Sequence, residues 1–176
     1  VTVTERHVYR SWVGEDDCGF TCCLADRLDP IHIHPRRIEC DVRGLPRPQG
    51  SMQHFANGGA KYPAGVYVWR GTVQAAVAAL EEPPIPGAVE LRLGFDLPRP
   101  QDHFWPVNRN HGPGELHPSA PPHPAVMPDL DKLVRAVCDS ITDSGLWHDD
   151  AQVCSLVTAK RYNSPPGVHI VITELL

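Results

Sequence analysis

Nine of the chain's 19 prolines fall in one 31-residue stretch, Pro98 to Pro128. Proline fixes φ and has no amide hydrogen, so this stretch can be neither helix nor paired strand. The fold must draw its regular elements from the flanks and carry the stretch as a surface linker or as an ordered loop across a binding surface. In 176 residues that leaves room for one domain and excludes a helical bundle. Apolar residues at 41% and charged residues at 21% are enough for a core. No run of 18 apolar residues marks a membrane span, and no charged-then-apolar leader marks secretion. The six cysteines form no obvious disulfide framework. A cytoplasmic protein is therefore expected.

Residues 1–37 show no sustained period and are expected to be an N-terminal extension, with a domain over 38–176. Ile38, Cys40 and Val42 alternate with Glu39, Asp41 and Arg43, which predicts a half-buried strand. Val66 to Trp69 reads as a second short strand. Thr72 is placed to cap a helix to Leu80, with Val73, Ala76, Val77 and Leu80 on one face. Val89, Leu91, Leu93 and Phe95 alternate in a strand to about Leu97. Beyond the proline-rich stretch, Leu130, Leu133, Val134, Val137 and Ile141 form an apolar stripe, predicting a helix from Asp129 to Thr142 between Pro128 and Gly145. Strands follow at Val153–Tyr162 and from Val168 to about Glu174. This order predicts a single α+β domain, a mixed β-sheet with two main helices on one face.

The net charge of −5 argues against a nucleic-acid binder, but its distribution does not. Residues 129–150 hold two basic residues against six aspartates, a local charge of −4. Asp129 and Asp131 flank Leu130 at the helix start, and Asp150 follows beyond the helix end. Three carboxylates brought together would repel one another unless a cation lay among them. Oxygen ligands without Cys or His suit Mg²⁺ or Mn²⁺. The plainer alternative is a favourable helix dipole at Asp129 and Asp131 and a turn at Asp149-Asp150. A helix of this length is roughly 21 Å long, so Asp150 returns to Asp129 only if the chain doubles back.

Arg135 follows Asp131 by four residues. It is either an ion-pair partner or a cation for a phosphate, with Lys132 beside it. Lys160 and Arg161 end a strand and either contact phosphates or face water. Cys18, Cys22, Cys23, His32, His34 and Cys40 match no pair of CxxC knuckles, so a zinc module is the least favoured metal reading. Cys40 fits the inward face of its strand as a small apolar residue. No phosphate-cradling glycine loop and no Gly-x-Ser-x-Gly element is present.

Together, Met127-Pro128-Asp129-Leu130-Asp131-Lys132-Leu133 with Arg135 and Asp139, then Gly145-Leu146-Trp147-His148-Asp149-Asp150-Ala151-Gln152-Val153, then Lys160, resemble the RusA family of Holliday junction resolvases. Gly44-Leu45-Pro46-Arg47-Pro48-Gln49-Gly50-Ser51 resembles that family's first strand-loop, and Phe95 to Pro100 its strand ending in Pro-Arg-Pro. The resemblance covers about residues 38–174. It implies that Asp129, Asp131 and Asp150 are metal-binding catalytic aspartates. It places Arg135 where a lysine is usual and Lys132 where an asparagine is common. Arg keeps the charge but not the geometry of Lys. It further implies a homodimer that cuts opposing strands of a four-way junction with Mg²⁺. Shape would guide recognition more than base edges. Arg43, Arg47, Arg99, Arg109, Lys132, Lys160 and Arg161 are the candidate phosphate contacts.

The expected function is thus a Mg²⁺-dependent endodeoxyribonuclease that resolves Holliday junctions in recombination and repair. A non-catalytic branched-DNA-binding relative is the second expectation, and a zinc module on the N-terminal cysteines the third.

Overall fold

The computed structural model describes residues 35–50, 53–54 and 60–175. In chain order the elements are β1 (Arg37–Arg43), β2 (Gln53–His54), β3 (Ala60–Lys61), α1 (Ala64–Ala78), β4 (Val89–Leu97), α2 (Leu130–Ser144), β5 (Val153–Tyr162) and β6 (Gly167–Glu174). Short 3-10 turns occupy Gln101–His103 and Asp150–Gln152. Four strands form one mixed sheet in the order β1-β6-β4-β5, and β2 and β3 form a separate two-stranded pair. β6 runs antiparallel to both β1 and β4, whereas β5 is parallel to β4. The α+β expectation holds.

Alternation in the strands becomes one covered face. Ile38 and Val42, Val89, Leu91, Leu93 and Phe95, and Val168, Ile170 and Ile172 bury their side chains together. They meet Leu133, Ala136, Val137 and Ile141 of α2 and Trp69, Val73, Ala76 and Val77 of α1. Cys40 packs half-buried against this core, as its position in the alternation requires. Desolvation there pushes its thiol up to about 12, with Asp41 and Glu39 adding repulsion.

One sequence expectation fails. Val66 to Trp69 is not a strand but the first part of α1, and Thr72 lies inside the helix, donating its hydroxyl to the Val68 carbonyl at 2.9 Å. The run Val66-Tyr67-Val68-Trp69 has strand-favouring side chains. The helical spacing of Val66, Trp69, Val73 and Val77 buries more, and burial prevails. Elsewhere boundaries move by a residue or two: α2 begins at Leu130 and ends at Ser144, with Gly145 in the left-handed conformation at φ 80°.

Residues 98–128 are an ordered loop. Phe104 bridges Leu116, and the Trp105 indole lies between two imidazoles, stacked on His111 at 4.4 Å and tilted on His117 at 4.1 Å. Arg99 sits 4.3 Å over the Tyr162 ring and donates to the Pro121 carbonyl, tying the loop to the end of β5. Among the described residues, no helix is long and apolar enough to cross a membrane.

Candidate active site

The start of α2 collects the first part of the acidic set. Asp129 occupies the N-cap position but makes no side-chain cap bond; its carboxylate pairs with Lys132. That hydrogen bond and charge, with Lys160 nearby, hold the Asp129 carboxyl below the usual carboxylate range. The Lys132 ammonium is raised in return. Asp131 is exposed one residue into the helix, and Arg135 is exposed a turn later. Asp131 and Arg135 form no ion pair; the pair that forms is Asp129 with Lys132. Lys160 reaches in from β5 and donates to the carbonyls of Val126 at 2.7 Å and Pro128 at 2.8 Å, fixing the chain just before Asp129.

The Asp-Asp-x-Gln segment divides its work. Asp149 caps the 3-10 turn, accepting from the Ala151 amide at 2.8 Å. Gln152 spends all of its amide on structure. Its oxygen accepts from the His148 and Asp149 amides, and its nitrogen donates to Ile85 at 2.9 Å and Gly87 at 2.8 Å. Asp150 is left exposed. Its charge, after burial, is the largest influence on Cys138 in the middle of α2, whose thiol is pushed up to about 12.

Those neighbours locate Asp150 away from Asp129. Lys160 stands beside Asp129, while Asp150 precedes the opposite end of β5, and the strand between Val153 and Lys160 spans roughly 23 Å. The chain does double back after Gly145, but it starts its return at the middle of α2 rather than at the helix start. Among the described residues, no group of three or more His, Cys, Asp or Glu side chains could hold a metal ion. The donor chemistry of Asp129 and Asp131 suits a hard cation such as Mg²⁺, which is commonly held by one or two carboxylates with waters completing its shell.

The predicted phosphate contacts scatter. Lys132 and Lys160 flank Asp129. Arg47 is exposed in the loop after β1 and lies over Gly65 at the start of α1. Arg109 is exposed in the proline-rich loop, whereas Arg99 is held by Tyr162 and Pro121. Arg43 and Arg161 open onto the helix-free face of the sheet, where they line a cleft of about 490 Å³ with Asp41, Asp96 and His169. Consecutive strand residues point to opposite faces, so Lys160 and Arg161 cannot serve one phosphate. Arg161 is also paired with Asp96 at 2.7 Å. His169 bridges Glu39 at 3.2 Å and Asp41 at 3.1 Å.

A buried polar network holds the loop after β1 against the site, and sequence reasoning missed it. Gln49 is 1% exposed. Its amide nitrogen donates to Asp139, its oxygen accepts from Arg70 at 3.1 Å, and Arg70 also pairs with Asp143. The Gln49 backbone N–H donates to the Lys132 carbonyl at 2.9 Å, strapping the loop to the first turn of α2. A lone Gln between prolines carries no period, so only the three-dimensional meeting of α1, α2 and the loop reveals it. The zinc reading of Cys18, Cys22, Cys23, His32 and His34 lies outside the described residues.

The family model for endodeoxyribonuclease RusA matches residues 43–173. A search among curated proteins finds no match. The matched span holds β4, β5 and all but the last residue of β6, only the last residue of β1, both helices, the three aspartates and the network around Gln49. The chain therefore belongs to the RusA family of endodeoxyribonucleases, which act on branched DNA and resolve Holliday junctions.

Proposed function

We propose that this chain is a homodimeric, divalent-cation-dependent endonuclease that resolves four-way DNA junctions by paired phosphodiester hydrolysis. The observation that carries the reading is the half-buried Asp129 and exposed Asp131 at the start of α2, flanked by Lys132 and Lys160. Resolvases of this family generally depend on a divalent metal. Asp129, Asp131 and Asp150 are the acidic set that would hold Mg²⁺ or Mn²⁺. Because one chain does not gather all three, a second copy supplies the missing carboxylate. Lys132 keeps Asp129 ionised. Arg135, on the exposed face of α2 beside Asp131, is placed to neutralise a phosphate. Asp149 is a capping residue rather than part of the reacting set. Of the N-terminal extension, only Arg36 and Arg37 join the domain, where they pair with the end of β6; in this reading deleting residues 1–34 leaves cleavage intact, and loss of activity on deletion would favour the zinc module.

The test is a labelled four-way junction beside linear duplex of the same sequence, each with Mg²⁺ and with EDTA. Symmetric metal-dependent nicks in the junction, lost in Asp150→Asn, are expected. The scattered acids also suit a second reading, a relative that binds branched DNA without turnover. Salt-sensitive junction binding without a cut in Mg²⁺ or Mn²⁺ would establish that reading instead.

A further inference from the structure

We propose that residues 103–117 of the proline-rich loop form a finger that enters a groove of the bound DNA and reads bases there with Arg109 and Asn110. This rests on the junction-binding reading above and names what would give the cut its sequence preference.

The loop folds back on itself as a narrow two-stranded ribbon. The His117 amide donates to the His103 carbonyl at 2.9 Å and the Trp105 amide to the Glu115 carbonyl at 2.9 Å, and Asn108 and His111 exchange backbone bonds of 3.0 and 3.3 Å. The prolines fall where no rung needs an amide: Pro106 lies between two rungs, and Pro113 lies where the return strand bulges between His111 and Glu115. The Trp105 indole, held between His111 and His117, packs across the two strands and stiffens the ribbon. The Glu115 carboxylate is spent within it, on the His111 ring at 2.9 Å and the Gly112 amide at 3.1 Å.

The tip divides into frame and free groups. Asn108 is frame: its side-chain oxygen accepts from the Asn110 and His111 amides, and its nitrogen donates to the Pro106 carbonyl at 3.1 Å. Arg109 and Asn110 are exposed, and among the described residues their side chains make no hydrogen bond or ion pair. Val107 beside them is 68% exposed. A two-stranded ribbon fits the major groove of B-form DNA, where Arg forks onto guanine, Asn onto adenine, and an apolar side chain meets a thymine methyl. The unspent guanidinium, amide and methyl groups together are a set that reads base edges; phosphates alone would need no apolar neighbour.

The finger rises beside the acidic site. Arg99 lies 4.3 Å over the Tyr162 ring and His103 meets the same ring edge-on at 5.5 Å, which fixes the foot of the finger at the last residue of β5. Lys160, two residues earlier on the same side of the strand, holds the Val126 and Pro128 carbonyls next to Asp129. Foot and site are thus roughly 7 Å apart along the strand, and a ribbon arm of about six residues reaches roughly 20 Å. The bases read by the tip therefore lie within about eight base pairs of a phosphate at Asp129.

The test reads binding alone. The full chain, in EDTA, selects from a pool of four-way junctions with base pairs randomised next to the branch, and the bound fraction is sequenced. Wild type is expected to enrich one base pair, or two adjacent ones, by roughly tenfold. The double variant Arg109→Ala with Asn110→Ala should show no enrichment there; both side chains are exposed, so its circular dichroism and melting should match wild type. Arg109→Lys keeps the charge but not the fork, and should lose the guanine preference with the salt dependence of binding unchanged. Enrichment by wild type and double variant alike, or by neither, overturns the proposal. So does an affinity that falls equally for every sequence with a shallower salt dependence, which would make Arg109 a phosphate contact. A chain that binds no junction sinks the junction-binding reading and the finger with it, whereas binding without base preference sinks the finger alone. Finger-dependent selection by a chain that cuts nothing in Mg²⁺ would sink the nuclease reading and leave the finger standing.

Discussion

Gly167 begins β6 against the end of β1, where a Cβ would run into the carbonyl oxygen of Val42. The obstacle is backbone, which cannot rotate away. Gly167→Ala is expected to destabilise the domain by about 1–3 kcal/mol in denaturant titration, although alanine suits a strand at least as well as glycine. At the acidic site the informative residue is Lys132. Its hydrogen bond and charge depress the Asp129 carboxyl. A depressed folded-state value stabilises the fold above the unfolded carboxylate pKa of about 3.9, and this contribution is lost as pH falls through the folded value. Lys132→Gln is expected to move the Asp129 carboxyl carbon's NMR titration midpoint upward toward that ordinary value. An unmoved midpoint would mean that Lys132 is not the partner in solution.

At the scale of elements, the loops hold most of what was hard to read. Strands β1, β4, β5 and β6 and helix α2 were visible because their hydrophobic period is local and strong. α1 was only half visible, since a β-branched and aromatic run opens it. The loop after β1 gives no periodic signal, yet its Gln49 joins α1 to α2 through Arg70 and Asp139. Gln49→Ala leaves the other members half-buried and short of a partner. It is expected to cost about 1–3 kcal/mol in denaturant titration. A variant as stable as wild type would show that water replaces the amide at no cost. In the proline-rich loop, Trp105 is the anchor between His111 and His117. Trp105→Ala should open residues 106–120 to limited proteolysis while leaving the global melting transition nearly in place, because the loop lies outside the main core.

For the whole molecule, the decisive feature is that Asp129 and Asp150 are tied to opposite ends of β5. Two inactive variants, Asp129→Asn and Asp150→Asn, should therefore complement each other. If the chain pairs as proposed, half of the dimers in co-expressed mixtures are mixed, and one of the two sites in each keeps both aspartates. Nicking should return to about a quarter of the wild-type level. If each chain carried a complete site, the mixture would stay inactive.

The aspartate pattern, the strand alternation and the stripe of α2 were enough, as sequence, to determine the α+β class, the resemblance and the identity of the acidic residues. Each of these is written in spacing along the chain, which reports local hydrogen bonding and the side of an element that is buried. The tertiary structure alone decided how the acids are shared out. Asp149 and Asp150 are adjacent in sequence, yet one is consumed by a cap and the other is exposed. Asp129 and Asp150 belong to one motif, yet the run of β5 alongside α2 places them at opposite ends of a strand. No local pattern encodes that separation, because it is set by the pairing of β5 with β4, from the far side of the proline-rich loop.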